Sequence, residues 1–217
     1  MELKFDIKGA KKGMIHHLIK YNYIKSEKVV KAMLKVDRAK FVPNDYVADA
    51  YSDYPVPIGF KQTISAPSIV GMMTEVLDIQ KNDKILEVGC GSGYQAAILA
   101  EIAKNGKIYT VERIPELIEI TKEKLKNYNN IEILRGDGYY GYEKEAPYDK
   151  IIVTAAPVEI PGPLIEQLKT GGKMVIPVGG IHLQNLILAE KISRTKIKKK
   201  VLCECMFVPL ISSREKE

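Results

Sequence analysis

The chain predicts an α/β protein: a doubly wound, Rossmann-like, mostly parallel sheet with an N-terminal helical lobe and a C-terminal antiparallel hairpin. Three observations predict it. From Asp83 onward, short runs rich in Ile, Leu and Val alternate with helix-length amphipathic segments, the pattern of βαβ units. The first run, Lys84–Val88, ends in a glycine-rich turn. After Gly179-Gly180 the helical patterning stops, and two long strand-like runs follow.

Residues 13–21 and 27–36 carry apolar pairs at helical spacing, Met14, Ile15, Leu18, Ile19 and then Val29, Val30, Met33, Leu34, which predicts two amphipathic helices. Ser26 is the expected N-cap of the second. Pro43, Pro55, Pro57 and Gly59 punctuate the next segment, which predicts irregular chain with one short helix around 45–51. A helix resumes at Ala66, with Ile69, Val70, Met72, Met73, Val76 and Leu77 on its apolar side. Strands are then expected at 84–88, 107–112, 131–134, 150–154 and 173–178, with helices at 94–104, 115–126 and 160–168. Runs 183–191 and 199–208 are the closing hairpin. With 217 residues, the chain fits a single domain, with residues 1–60 as the lobe and 61–217 as the ligand-binding core.

Composition narrows the class. The longest apolar stretches, such as 151–153 and 183–189, are too short to span a bilayer. The N-terminus alternates charge with hydrophobicity instead of forming an apolar signal region, which argues for the cytoplasm and against a membrane. The three cysteines lack the spacing of a secreted disulfide framework. Cys203 and Cys205, two apart in a strand-like run, read as buried apolar thiols on one face. His16, His17 and His182 form no metal-ligand spacing with them, so no metal is expected. The net charge of +6 is modest. Its one concentrated source, residues 191–200, reads as a solvated hairpin protecting a sheet edge, with a nucleic-acid contact as the alternative.

The sharpest local signal is Leu86-Glu87-Val88-Gly89-Cys90-Gly91-Ser92-Gly93-Tyr94. A glycine turn between a first strand and its helix lets backbone approach a ligand closely. Dinucleotide enzymes place a third small residue where Tyr94 stands. Glu87 would repel a pyrophosphate but suits a ligand bearing an ammonium and a sulfonium. Residues Gly89, Cys90, Gly91, Ser92 and Gly93, with Glu87, are therefore the expected contacts to S-adenosylmethionine. Glu112, ending the second strand, can accept hydrogen bonds from both ribose hydroxyls. Asp137 and Gly138 follow the third strand, where an acidic side chain could meet the adenine amino group; a plain Asp-Gly turn is the simpler alternative.

Between Asp53 and Met73 the chain reads Asp-Tyr-Pro-Val-Pro-Ile-Gly-Phe-Lys-Gln-Thr-Ile-Ser-Ala-Pro-Ser-Ile-Val-Gly-Met-Met. With 86–96 and Phe207-Val-Pro-Leu210, this stretch closely resembles the protein-L-isoaspartate O-methyltransferases, over nearly the whole chain. The resemblance implies a repair enzyme that moves a methyl group from S-adenosylmethionine to the α-carboxylate of L-isoaspartyl residues, leaving S-adenosylhomocysteine. The ester recloses to a succinimide, and hydrolysis returns some normal aspartate. It implies that Ser65 occupies the catalytic position, that Gln62, Thr63, Ile64 and Ala66 form the substrate loop around it, and that Gly89, Gly91, Glu112, Asp137 and Gly138 meet the cofactor. Lys61 and Ser68 depart from the family pattern, where glycine and histidine are common; they bear on loop flexibility and substrate preference.

Ser65 also precedes Ala66-Pro67 and an apolar run, the place of an N-cap serine. The two roles are compatible, since a helix N-terminus attracts carboxylates. Segment 51–65 and the lobe are expected to close over the cofactor and exclude water. A nucleic-acid methyltransferase is a weaker alternative: after the fourth strand the chain reads Thr154-Ala155-Ala156-Pro157, with neither the amide nor the aromatic that grips a base, and it contains no Pro-Cys nucleophile. A non-catalytic cofactor-binding module would predict decay at 62–67, which is intact. The partners expected are isoaspartyl peptides and proteins, with the enzyme a monomer.

Overall fold

A computed structural model describes residues 7–212; of the alternating N-terminal stretch, residues 1–6 lie outside it. The helical lobe consists of α1 (Ile7–Lys20) and α2 (Glu27–Lys35), followed by 3-10 turns at Arg38–Phe41 and Asn44–Asp49. Next come β1 (Val56–Gly59), β2 (Gln62–Ile64) and α3 (Pro67–Leu77). The core follows as β3 (Lys84–Val88), α4 (Tyr94–Ile102), β4 (Lys107–Glu112), α5 (Pro115–Leu125), β5 (Ile131–Arg135), β6 (Tyr148–Val153), α6 (Gly162–Gln167), β7 (Leu168–Gly179), β8 (Gln184–Lys191) and β9 (Ile197–Cys205).

The seven-stranded sheet has the order β5-β4-β3-β6-β7-β8-β9. Strands β3 to β7 pair in parallel, and β8 and β9 are antiparallel. The chain leaves β3 toward β4 on one side, while β6 pairs on the other, so the strand order reverses at β3/β6. Ligands bind at the carboxyl ends of strands at such a switch point. Alternation within β3 sends Ile85 to a core shared with α3, α4 and the lobe, and Leu86 and Val88 to a second core on the opposite face. The lobe belongs to the first core: Leu18, Ile24, Val29 and Met33 are fully buried in the same cluster as Leu77 and Ile98.

Three local expectations are corrected. The segment read as irregular around Gly59 contains a tight hairpin, β1–β2, with Val56 opposite Ile64 and Gly59 opposite Gln62. Its two turn residues, Phe60 and Lys61, have φ of 54° and 58°, the positive values at both central positions that a type I′ turn requires. Ser26 stands at the N-cap of α2 but makes no capping bond. Its hydroxyl and amide, with the Lys25 amide, donate to the Glu75 carboxylate on α3 instead. Cys203 and Cys205 are half-buried rather than buried; the Cys203 sulfur lies 3.9 Å from the Met72 sulfur. The basic run forms the β8–β9 turn and the edge strand, where Lys198, Lys199 and Lys200 are exposed. Lys191 differs from them. It is buried and donates to the carbonyls of Ile165, Glu166 and Leu168, where α6 ends and β7 begins.

L residues pay roughly 1–2 kcal/mol for left-handed backbone, and glycine gives part of that back as lost chain entropy. Lys61→Gly is therefore expected to stabilise the protein by about 0.5–1 kcal/mol, read as a raised urea midpoint. A lowered midpoint would mean that the Lys61 side chain makes contacts outweighing its backbone strain.

Candidate active site

At the carboxyl ends of β3, β4 and β6 lies a cavity of about 620 Å³, within the range of sites for nucleoside-sized ligands. Its floor is Val88, Gly89 and Gly91 of the glycine turn, and Glu112 and Gly138 line one side. Thr154 and Ala155 line the other, and the tip of the β1–β2 hairpin, Phe60 to Thr63, forms part of the wall. A smaller recess of about 40 Å³ adjoins it, sharing Thr63, Gly89, Gly91 and Thr154, and is lined further by Ile64, Ser65, Cys90, Ser92, Tyr94 and Gln95. The glycine turn thus separates a nucleoside-sized space from a small recess of mixed lining that holds Ser65.

The turn requires its glycines. Gly89 has φ +93°, and a Cβ there would lie 2.3 Å from the Thr154 hydroxyl oxygen. That hydroxyl already bridges the Val88 and Gly89 carbonyls at 3.0 and 2.8 Å. Gly93 has φ +86° and meets Thr121 of α5 at a similar separation. Neither position admits a side chain, and at Gly89, which lines the cavity, backbone is presented where a ligand would sit.

Glu112 fits the sequence expectation in position. It lines the cavity, while one carboxylate oxygen accepts from the Gly91 amide at 3.0 Å and the other from the Arg113 and Ile114 amides at 2.8 and 3.0 Å. These bonds fix the carboxylate against the turn and leave lone pairs for hydroxyl donors. Gly138 also lines the cavity, whereas Asp137 does not. Its oxygens accept from the Tyr139 amide and the Ser212 hydroxyl, so the plain turn geometry is present, and Asp137 shapes the loop that carries Gly138. Cys90 and Ser92 face the recess, and Gly93 lies behind both spaces. Burial pushes the Cys90 thiol well above its ordinary pKa, which disfavours the thiolate.

Glu87 sits elsewhere than expected. It is fully buried beneath the turn, lines neither space, and accepts a bond from Thr110 on β4. Its other oxygen has no hydrogen-bond partner among the described residues. Desolvation pushes its pKa up to about 8, so near neutrality it is chiefly a protonated acid beneath the loop, not a carboxylate facing a ligand cation. The folded state then holds a proton that the unfolded chain, with a value near 4.5, releases. Stability attributable to this group is full below about pH 4.5 and is lost as pH rises to about 8. Glu87→Gln is expected to remove that dependence. In urea titrations, the variant's stability relative to wild type should rise between pH 5 and pH 8.5 by a few kcal/mol at most, each tenfold change in proton affinity being worth about 1.4 kcal/mol. A pH-independent difference would refute the protonated state.

The capping expectation for Ser65 fails. Ala66 occupies the N-cap of α3, with Pro67 in the first turn, and the Ser68 amide is capped at 2.8 Å by Asp53. Among the described residues no hydrogen bond engages the Ser65 hydroxyl, which is half-buried at the recess. Of the other loop residues, Gln62 and Thr63 face the cavity, Ile64 is buried along the recess, and Ala66 lines neither. Several lining residues carried no sequence signal as site residues: Phe60, Arg113 to Pro115, and Val208 to Ile211. The last four arrive because the Ala156 amide donates to the Val208 carbonyl and the Leu210 amide to the Ala156 carbonyl, at 2.8 and 2.9 Å. Tyr94 explains why the turn lacks a third glycine. Its ring is buried against Phe41 and under the Arg38 guanidinium, so it anchors the lobe instead of packing helix against strand.

A family profile described as Protein-L-isoaspartate(D-aspartate) O-methyltransferase (PCMT) matches residues 9–215. The chain belongs to this family. A protein-L-isoaspartate O-methyltransferase of Methanopyrus kandleri is 50% identical over 206 residues, covering 93% of this chain and 91% of its own. That of Hyperthermus butylicus is 47% identical over 213 residues, covering 93% and 88%. A solved structure described as this methyltransferase from Plasmodium falciparum, in complex with S-adenosyl-L-homocysteine, superposes with a TM-score of 0.81 at 28% identity, covering 92% of this chain and 97% of that one. The protein is accordingly a protein-L-isoaspartate methyltransferase, a transferase of protein repair that uses S-adenosylmethionine. Among the described residues no helix is long and apolar enough to cross a membrane, and no group of three or more His, Cys, Asp or Glu could hold a metal ion.

Proposed function

We propose that methyl transfer takes place where the cavity and the recess meet, with Ser65 as the catalytic residue. The observation that carries this assignment is the placement of Thr63, Ile64 and Ser65 against Gly89 to Ser92 around one shared space. The cavity fits S-adenosylmethionine: Gly89 and Gly91 admit close approach, Glu112 is positioned to accept from the ribose hydroxyls, and Gly138 with Val208 to Ile211 supplies an apolar wall for the base. When bound there, the cofactor supplies an electrophilic methyl group on a sulfonium.

The α-carboxylate of an isoaspartyl residue has an ordinary pKa near about 3.5, so it is ionised at neutral pH and needs no base. Among the described residues no histidine lines either space. Ser65 donates its hydroxyl hydrogen to the carboxylate and fixes its direction of attack. Gln62 and Thr63, on the hairpin arm, hold the peptide flanks. The hairpin tip and the lobe exclude water, which favours a step in which opposite charges cancel.

The substrate is a damaged protein, not a nucleic acid: Thr154 and Ala155 offer the cavity neither a side-chain amide nor an aromatic ring. The basic residues lie on the edge strand β9, where they guard against strand addition, in keeping with a cytoplasmic monomer. The test is a repair cycle. Incubation of an isoaspartyl peptide with enzyme and excess S-adenosylmethionine, followed by chromatography, is expected to show conversion through a succinimide to the aspartyl peptide. Persistence of the isoaspartyl peptide while S-adenosylmethionine is consumed would sink the proposal.

A further inference from the structure

Among the described residues Arg38 is the largest fully buried side chain, and no carboxylate pairs with it. Its Nε donates to the Ala50 carbonyl and one terminal nitrogen to the Ser65 carbonyl, both at 2.7 Å. The other terminal nitrogen has no hydrogen-bond partner among the described residues. The guanidinium carbon lies 5.0 Å from the centre of the Tyr94 ring, and Tyr94 lines the recess beside Ser65 as the first residue of α4. One cation therefore joins three parts of the site: the chain leaving the lobe, the backbone of the residue facing the substrate, and the helix that begins at the glycine turn.

Stability alone does not call for this group. Burying an arginine without an ion pair is costly, and an apolar side chain of similar length would fill the slot without desolvating a charge. What an apolar chain cannot do is hold two carbonyls in fixed directions. Arginine's planar fork does that with little further loss of freedom. Arg38 fixes the Ser65–Ala66 peptide plane, and with it the direction in which the Ser65 hydroxyl enters the recess.

We propose that Arg38 is a positioning residue for methyl transfer, acting through the main chain of Ser65. The inference rests on the assignment of Ser65 above. A small displacement of a reacting group costs roughly ten- to a hundredfold in rate, so Arg38→Met is expected to lower kcat on an isoaspartyl peptide by that order. The dissociation constant for S-adenosylhomocysteine, measured by calorimetry, should stay within about threefold, since Arg38 does not line the cavity.

The decisive comparison is a double-mutant cycle with Ser65→Ala, because residues that act as a unit are strongly non-additive. Arg38→Met should lower kcat by less than about threefold when the Ser65→Ala change is already present. Arg38→Lys, which keeps the cation but not the fork, should fall between wild type and Arg38→Met; it replaces Arg38→Met in the cycle if the methionine variant does not fold. Equal losses in the wild-type and Ser65→Ala backgrounds would overturn the proposal, as would an unimpaired kcat in the Arg38 variant. If Ser65→Ala itself retains wild-type kcat, the Ser65 assignment fails and Arg38 falls with it. If Ser65→Ala is impaired and the Arg38 variant is not, only the Arg38 inference fails.

Discussion

Gly89→Ala is expected to weaken S-adenosylhomocysteine binding by roughly a hundredfold, the largest single effect among the site residues. Two costs combine. An alanine at φ +93° pays about 1–2 kcal/mol for its backbone. Its Cβ would also stand 2.3 Å from the Thr154 hydroxyl, whose single hydrogen is shared between the Val88 and Gly89 carbonyls and must be withdrawn, at about 1 kcal/mol. If the loop relieves about 3 kcal/mol by moving away from its ligand-competent shape, affinity falls about a hundredfold. Adding Thr154→Ala should recover part of the loss, since the clash is with that side chain. Calorimetric titration of both variants reads the effect directly. Wild-type affinity in Gly89→Ala would mean that the turn does not meet the cofactor.

Ser65→Ala is expected to lower kcat ten- to a hundredfold while S-adenosylhomocysteine affinity changes little. The hydroxyl engages nothing else among the described residues, so its removal leaves no buried partner unsatisfied and should barely alter stability. What is lost is a hydrogen bond to a charged carboxylate, about 1.5–3 kcal/mol, and each 1.4 kcal/mol or so is a factor of ten in rate. Steady-state kinetics on an isoaspartyl peptide check it, with thermal denaturation confirming an intact fold. An unchanged kcat would remove Ser65 from the mechanism.

The sheet was legible in the sequence because parallel strands are buried on both faces and so appear as apolar runs, Ile-Leu-Glu-Val at β3 and Ile-Ile-Val at β6. The glycine turn and Glu112 were legible because their geometry follows from chain order alone: a strand end, then a turn with no room for side chains. The β1–β2 hairpin was not, since its strands are four and three residues long and its turn is Phe60-Lys61 instead of the Asn-Gly that usually marks a type I′ turn. The N-terminus of α3 misled because its cap comes from Asp53, fifteen residues upstream, so local pattern assigned the task to Ser65. Glu87 misled for a related reason. Charge complementarity presumes an ionised carboxylate, and only the fold shows that this one is sealed under the loop. Arg38 left no signal at all, because a single arginine amid Asp37 and Lys40 reads as surface until the lobe closes around it.

The most direct measurement is methyl transfer from labelled S-adenosylmethionine to an isoaspartyl peptide and to its normal aspartyl twin, followed by mild base. Label that enters the isoaspartyl peptide alone, and is released by base, is the predicted result; it identifies a carboxyl methyl ester on the rearranged residue. Equal labelling of both peptides, label resistant to base, or no labelling by protein that still binds S-adenosylhomocysteine would contradict the account.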